Sequence, residues 1–139
     1  MTIRKEIQLP PYRRGLHLIT DVIQREIATL KNLPQEGLVH LFLMHTSAAL
    51  TISENFDSDV PADLNTFLNR TVPDSHSEYR HSSEGADDMP AHIKSSLLGV
   101  SLTLPLASGR LLLGTWQGIF LCEFRDHPST RKILLTILG

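Results

Sequence analysis

The sequence predicts a single α+β domain whose mixed or mainly antiparallel sheet is partly barrel-like and covered by about three helices. The chain of 139 residues has the length of one domain, covering residues 1–139. Hydrophobic residues make up 41% of it, and together with glycine this fraction is typical of soluble globular proteins. Several strand-like segments alternate with separated helical segments and show no regular βαβ rhythm, which favours the α+β class.

The first third of the chain predicts three strands and one helix. Residues 2–9 alternate loosely between apolar and polar side chains and precede two prolines, which predicts an edge strand. A helix is predicted from Thr20 or Asp21, because apolar residues recur there at i, i+4 and i+8. Residues 38–44 are apolar at six of seven positions and predict a central strand. Residues 48–53 alternate and predict the third strand.

The middle of the chain predicts two helices separated by a long polar segment. Asp57 or Ser58 caps the first helix. Its apolar face consists of Val60, Leu64, Phe67 and Leu68. Residues 71–88 are almost wholly polar, and irregular segments of this length in a small domain are usually functional or disordered. Asp88 or Met89 caps the second helix. Its predicted buried face consists of Met89, Ile93 and Leu97.

The last third of the chain predicts only strands. Alternating side chains support each of them. The predicted strands are residues 100–104, 110–113, 115–124 and 132–138, with a turn at 107–109.

Composition and charge exclude several classes of protein. The formal net charge of −2 and the lack of long runs of like charge give no reason to expect a nucleic-acid partner. No apolar run approaches the length of a membrane span, so we expect no membrane partner. The single cysteine, Cys122, excludes an intramolecular disulfide and a zinc cluster built on cysteines. These features favour a reducing, cytoplasmic setting.

Three of the seven histidines occupy positions where a metal ligand would be useful. His45 ends a buried strand, at the end of its core-facing row. His81 lies in the polar segment, and His92 lies in the first turn of a helix, whose dipole favours a neutral imidazole. Three neutral imidazoles with an open fourth position form a zinc site of the catalytic type. Their spacing matches no local metal motif, so ordinary loop and surface histidines remain the alternative.

Carboxylates offer a competing site, which would hold Mg²⁺. The candidates form two clusters, Asp57, Asp59 and Asp63 near a helix start, and Glu84, Asp87 and Asp88 in the polar segment. Aspartates are also favoured at helix starts for capping alone, so this alternative stays open as well. The sequence contains no G-x-S-x-G, Walker A or G-x-G-x-x-G motif. Cys122 shares a strand face with apolar residues and is expected to be buried and inert.

A second feature is the run Thr115-Trp116-Gln117-Gly118. Glycines on both sides permit close backbone approach, and an aromatic with an amide can hold a flat ring. The alternative is that Trp116 only fills the core. Arg125 and Arg131 flank a short turn, where arginine forks suit phosphate oxygens but are also often solvated.

Several of these motifs, in this order, resemble a known family. They are His45-Thr46-Ser47-Ala48, Glu54-Asn55, Tyr79-Arg80-His81, Glu84-Gly85, Met89-Pro90-Ala91-His92-Ile93-Lys94, and the run from Gly109 to Phe124. The chain resembles the YjbQ family, also called the secondary thiamine-phosphate synthase family, over nearly its whole length. The resemblance implies an α+β homotrimer with sites near the subunit boundaries, and His45, His81 and His92 as metal ligands.

The activity implied by the resemblance joins a hydroxymethylpyrimidine diphosphate to a thiazole phosphate and releases pyrophosphate, as a secondary activity. The alternatives are a metal-dependent hydrolase of a phosphorylated metabolite and a non-catalytic trimer that binds a metal or an anion. Three imidazoles favour Zn²⁺ over Mg²⁺. We expect Glu54 and Asp63 to assist catalysis, and we expect substrate contacts from Ser47, Asn55, Trp116, Gln117 and Arg131.

Overall fold

The computed structural model describes residues 1–127 and 129–139. Within this part of the chain the strands are β1 (Thr2–Leu9), β2 (Gly15–Leu18), β3 (Glu36–Leu43), β4 (Ala48–Glu54), β5 (Ser101–Ala107), β6 (Arg110–Leu111), β7 (Gln117–Glu123) and β8 (Arg131–Leu138). The helices are α1 (Thr20–Ala28), α2 (Asp59–Thr71) and α3 (Asp88–Leu98). No helix among these is long and apolar enough to cross a membrane.

The strands form two antiparallel sheets, one of them curled into a half-barrel, and this confirms the predicted α+β class. The larger sheet has the order β1-β8-β3-β5-β6, so the apolar β3 lies in its middle and β1 at its edge, as predicted. The smaller sheet has the order β2-β7-β4. In this sheet Ala48 of β4 faces Glu123 of β7, and Glu54 faces Gln117 at the other end of the same pair.

The main core lies between the inner faces of the two sheets and α1. Val39, Leu41 and Leu43 alternate into this core from β3, as their period of two predicts. Ile23 and Ile27 pack into it from α1. Cys122 is buried in a smaller cluster beneath α3, and burial raises the pKa of its thiol to about 12. The predicted burial of this thiol is therefore confirmed, and the raised pKa is consistent with an unreactive thiol.

The orientation predicted for α3 is wrong. Leu97, expected to be buried, is 65% exposed, whereas Asp88 and Lys94 are buried. The reason is that α3 packs its polar side on β4, where the buried polar groups find partners. Lys94 Nζ donates to Asn69 Oδ1 at 2.7 Å and lies 5.4 Å from the centre of the Phe124 ring. Burial, together with the positive charge of nearby Arg14, lowers the pKa of Lys94 to about 8.

Candidate metal centre

Two of the predicted histidines meet a buried aspartate. Among the described residues, His81, Asp88 and His92 form a group whose candidate ligand atoms all lie within 4.8 Å of one another. Nε2 of His81 lies 2.6 Å from Asp88 Oδ2, and Nε2 of His92 lies 3.1 Å from the same oxygen. Two imidazole nitrogens and a carboxylate oxygen are a donor set that suits Zn²⁺ or a similar transition-metal ion.

Helix geometry brings Asp88 and His92 together. They are four residues apart in the first turns of α3, and side chains at this spacing share one helix face. His81 comes from the loop between α2 and α3. Arg14 ties this loop down, because Nη1 donates to Asp74 and Asp126, both at 2.9 Å. The polar segment is therefore anchored at its start and brings His81 to the helix.

Arg125 contacts Asp88 on the side away from the two histidines and also binds its neighbours in the chain. It donates to Oδ1 of Asp88, to Oδ2 of Asp87 at 2.9 Å and to the carbonyl oxygen of Glu84 at 2.9 Å. Burial raises the pKa of Asp88, but the hydrogen bond with His81 and the charges of Arg125 and His92 outweigh it and keep that pKa below its ordinary value. Asp88 is therefore an ionised oxygen donor despite its burial.

The Glu84–Asp87 turn needs a glycine at Gly85. Its φ is +109°, and an added Cβ would lie 2.9 Å from Oδ1 of Asp87. A side chain at this position would displace the carboxylate that holds Arg125.

His92 has an acceptor at each ring nitrogen. Nδ1 lies 2.8 Å from the carbonyl oxygen of Thr46, which can only accept, so Nδ1 carries a proton. Nε2 faces the ionised Asp88. A neutral imidazole cannot donate from both nitrogens, so the contact between Nε2 and Asp88 requires either a second proton or a bound cation. The Thr46 carbonyl thus leaves Nε2 as the candidate ligand atom, in the way that outer partners orient metal-bound histidines.

His45 lies outside this group of ligand atoms. Its Nε2 accepts a hydrogen bond from the backbone N–H of Lys132 at 2.8 Å. Burial and the nearby charge of Arg131 lower the pKa of His45, so its imidazole is kept neutral. Its role as a third metal ligand stays a prediction, and Nδ1 would have to supply that bond.

Arg131 forms a buried ion pair with Glu123 near His45, and its guanidinium also contacts Ser47. Arg131 Nε donates to Glu123 Oε1 at 2.7 Å, and Nη2 pairs with the other oxygen of the same carboxylate. Nη1 donates to Ser47 Oγ at 3.0 Å. The guanidinium therefore has internal partners and fixes the turn that carries Thr46. The predicted substrate contacts of Ser47 and Arg131 stay predictions.

The other predicted substrate residues lie at the opposite end of the β4–β7 pair. Glu54 faces Gln117. Glu54 lies six residues after Ala48 on β4, a separation of roughly 20 Å at the rise of a strand. Asn55 joins this end, since its Nδ2 donates to the carbonyl oxygen of Gln117 at 3.0 Å. Trp116 is 56% exposed, so it does not fill the core. Asp63 lies exposed on α2.

Two hollows adjoin the histidine end. A cavity of about 340 Å³ lies beside His81, and its other walls are polar loop residues that include Ser75, Tyr79 and Ser82. A more apolar groove of about 490 Å³ runs past His45 and Thr46. Serine hydroxyls in the first hollow can donate hydrogen bonds to anionic oxygens next to the histidines, whereas the Tyr79 hydroxyl already donates to the carbonyl oxygen of Pro73 at 2.9 Å.

The sequence alone does not place Asp88 with the histidines. Its pattern groups Asp88 with Glu84 and Asp87, as a carboxylate cluster that would hold Mg²⁺. The spacing of Asp88 and His92, which puts both on one face of the predicted helix, could have connected them. Arg125 stands out in the sequence only as a turn residue, and no local pattern links it to Asp88.

Comparisons with known proteins agree with one another. The family model described as "UPF0047 protein YjbQ-like" matches residues 5–139. The UPF0047 protein YjbQ of Salmonella typhimurium is 52% identical over 139 residues, covering 100% of this chain and 99% of the relative. The protein of the same name from Escherichia coli O157:H7 is 50% identical with the same coverage.

Solved structures show the same fold. A conserved hypothetical protein from Thermus thermophilus has a TM-score of 0.84 and 36% identity, covering 96% of this chain and 99% of its own. A YbjQ-like protein of unknown function from Sulfolobus solfataricus has a TM-score of 0.85 and 27% identity, with coverage of 100% and 98%.

Proposed function

This chain belongs to the UPF0047 YjbQ-like family, and we propose that it is a metal-dependent enzyme acting on a phosphorylated small molecule at His81, Asp88 and His92. The reaction proposed first is the joining of a hydroxymethylpyrimidine diphosphate to a thiazole phosphate with release of pyrophosphate, as a secondary activity. The observation that carries the proposal is the convergence of the two histidines on the buried Asp88. We further propose a cytoplasmic location, which the lone buried thiol supports.

The neighbouring residues fit a divalent transition-metal ion. His81, Asp88 and His92 would hold it, and such an ion withdraws negative charge from phosphate oxygens. Arg125 keeps Asp88 ionised, and the Thr46 carbonyl orients His92. The hydroxyl-lined cavity beside His81 offers hydrogen bonds to the remaining phosphate oxygens.

A transfer reaction also has to hold two rings. Within one chain the ring-binding candidates Trp116 and Gln117 lie at the far end of the β4–β7 pair, roughly 20 Å along the strands from Ala48, which follows the Thr46 carbonyl that contacts His92. We therefore propose that a neighbouring subunit of a homotrimer brings its own ring-binding end to this metal centre. Leu38, Phe42 and Met44 are exposed apolar residues on one face of β3 and just after it, with His40 between the first two, and this strip supports the assembly. The groove past His45 is continuous with that strip, since Phe42 and Met44 line both.

Phe42→Glu is expected to convert the trimer to monomers. The substitution places a charge in the middle of the apolar strip, where a covering subunit would have to desolvate it. Sedimentation velocity at several concentrations measures the change from three chain masses to one. Phe67→Glu is the matched control, because it makes the same change at an exposed phenylalanine on α2. A monomeric wild type, or an equal effect of both variants, contradicts the proposed interface.

A metal-dependent hydrolase of a phosphorylated metabolite is the second candidate. It is favoured by the polar cavity at the histidine end, which needs no ring-binding residues from the distant end of the strands. Such an enzyme would use the ion to lower the pKa of a bound water towards 7.

One set of assays tests the proposed function. Wild-type protein loaded with Zn²⁺ is expected to form thiamine phosphate and pyrophosphate from the two precursors and to rescue a thiamine-requiring strain. His92→Ala is expected to lose on the order of 100-fold in rate, because a ligand with its oriented nitrogen is removed. His127→Ala, at an exposed histidine, is the control and should keep the wild-type rate. Release of inorganic phosphate from a metabolite panel without any transfer would favour the hydrolase, and no product in either assay would overturn both.

A further inference from the structure

A third pocket lies away from the histidines, at the opposite end of β4 and β7. It has a volume of about 260 Å³, and its floor is apolar, with Leu16, Leu18 and Phe120 among its walls. Its rim includes Glu54, Phe56 and Asp57. It therefore combines an apolar floor with aromatic and acidic groups at the mouth.

Phe56 lines the pocket, and Trp116 contacts it from outside the lining. Phe56 is 77% exposed and Trp116 is 56% exposed, and their rings lie edge to face with centres 5.2 Å apart. Asn55 holds them in register, because its N–H donates to the carbonyl oxygen of Trp116 at 2.8 Å. The exposure of two adjacent aromatic rings to water is unfavourable in free energy. The faces of these rings attract other flat rings and cations.

The walls of this pocket are closely packed. Gly118 is buried beneath it, and an added Cβ would lie 2.5 Å from Leu18 Cδ1 and 2.9 Å from Asn55 Cβ. Only glycine permits β7 to approach these two side chains so closely. The floor is thus formed in advance of any ligand.

The charge at the pocket is negative. Glu54 and Asp57 both line it, and the described lining residues include no lysine or arginine. Oε2 of Glu54 receives only a long contact of 3.4 Å from the N–H of Asp57, so its charge is weakly neutralised. Oδ1 of Asp57 accepts from the N–H of Asp59 at 2.9 Å, which fixes that carboxylate at the start of α2. Two carboxylates beside exposed aromatic rings favour a cationic ligand over a neutral or anionic one.

We propose that this pocket binds a positively charged, planar heteroaromatic ring, with Phe56 against its face and Glu54 beside its charge. The inference extends the proposed function by naming the kind of ring held at this end of the strands. It rests on that function only for the assignment of the ring to the joined product, since binding itself does not require the metal centre. The thiazole ring of that product becomes positively charged when the new bond to its nitrogen forms.

The test follows the indole N–H of Trp116 by NMR, because this is the only tryptophan in the chain and so gives a single indole resonance. The probes share one ring system: 1-methylquinolinium is cationic, quinoline is neutral at pH 8, and quinoline-2-carboxylate is anionic. The cation is expected to give a saturable shift and to bind at least about 5-fold more tightly than quinoline, with the anion weakest. Equal affinity for the cation and quinoline, or no saturable shift, would overturn the inference.

Two variants of the full chain separate charge from ring contact. Glu54→Gln keeps the shape of the side chain and is expected to weaken binding of the cation at least about 3-fold, with little change for quinoline. Phe56→Leu is expected to weaken both probes. Glu36→Gln, at an exposed position on β3, is the matched control and should leave the affinity unchanged. Unchanged binding of the cation by Glu54→Gln and Phe56→Leu would assign the shift to another surface and overturn the inference.

The same titration with His92→Ala distinguishes this inference from the proposed function. If probe binding persists in that variant while wild-type protein shows no transfer or hydrolysis, only the proposed function fails. If wild-type protein is active but the probe does not bind, only the present inference fails.

Discussion

Glu123→Gln is expected to lower the free energy of unfolding by about 3 to 5 kcal/mol, because it leaves a buried guanidinium without its counter-charge. Glu123 is 0% exposed, and its partner Arg131 is 4% exposed. Both carboxylate oxygens are occupied by Arg131, and Oε2 also accepts from the N–H of Arg125 at 3.2 Å. Urea unfolding at a fixed protein concentration, followed by circular dichroism, measures the loss.

A second ion pair of this protein serves as the control. Lys5 and Glu26 are 2.6 Å apart, but both side chains are 32% exposed. Glu26→Gln is therefore expected to cost less than about 1 kcal/mol. The double variant Glu123→Leu with Arg131→Met should recover much of the loss, because it removes both charges and keeps apolar volume. If Glu123→Gln lowers the free energy of unfolding no more than Glu26→Gln does, the ion pair of Glu123 and Arg131 does not stabilise the turn that carries Thr46.

The ion pair of Glu123 and Arg131 lies next to a residue that positions the candidate metal centre. Arg131 holds Ser47, and the carbonyl of the preceding Thr46 receives the Nδ1 proton of His92. Loss of the pair would therefore displace the group that orients a metal ligand. Stability and metal binding should decline together in Glu123→Gln.

The sequence predicts the strands and helices well where the buried side chains are apolar. In β3 and β8 buried residues alternate with more exposed ones; a short apolar run identifies β3 in the sequence, and the period of two identifies β8. In α3 the same reasoning fails, since it places apolar residues inside by default. Lys94 and Asp88 are buried there because residues distant in the chain, Asn69 and Arg125, supply their partners.

The sequence likewise predicts only part of the candidate site. The sequence predicts His81 and His92 as ligands, and the structure brings them together. The spacing of Asp88 and His92 is consistent with their contact, but the contacts of Asp88 with His81 and Arg125 depend on segments outside the helix folding against it, which spacing does not predict. The separation of Trp116 and Gln117 from the histidines depends on strand register, which alternation alone does not set.

Asp88→Asn is expected to weaken Zn²⁺ binding by at least about 100-fold, since it replaces the one anionic donor of the group with a neutral amide. The amide also leaves part of the charge of Arg125 uncompensated beside the ion. His92→Ala should have a comparable effect because it removes an oriented nitrogen. Competition with a chelator of known affinity measures the change, and elemental analysis gives the metal content of each chain.

Asp87→Asn is the control that separates a ligand from a positioning residue. Asp87 is also buried and also accepts from Arg125, yet its oxygens do not belong to the group of candidate ligand atoms. Its substitution disturbs the same arginine and should weaken Zn²⁺ binding by only about 10-fold, the lower end of the range for loss of an outer partner. Equal losses for Asp87→Asn and Asp88→Asn would mean that the carboxylates only hold Arg125 in place. The two histidines would then bind the ion without Asp88, and His45→Ala, measured in parallel, would show whether His45 supplies the third ligand.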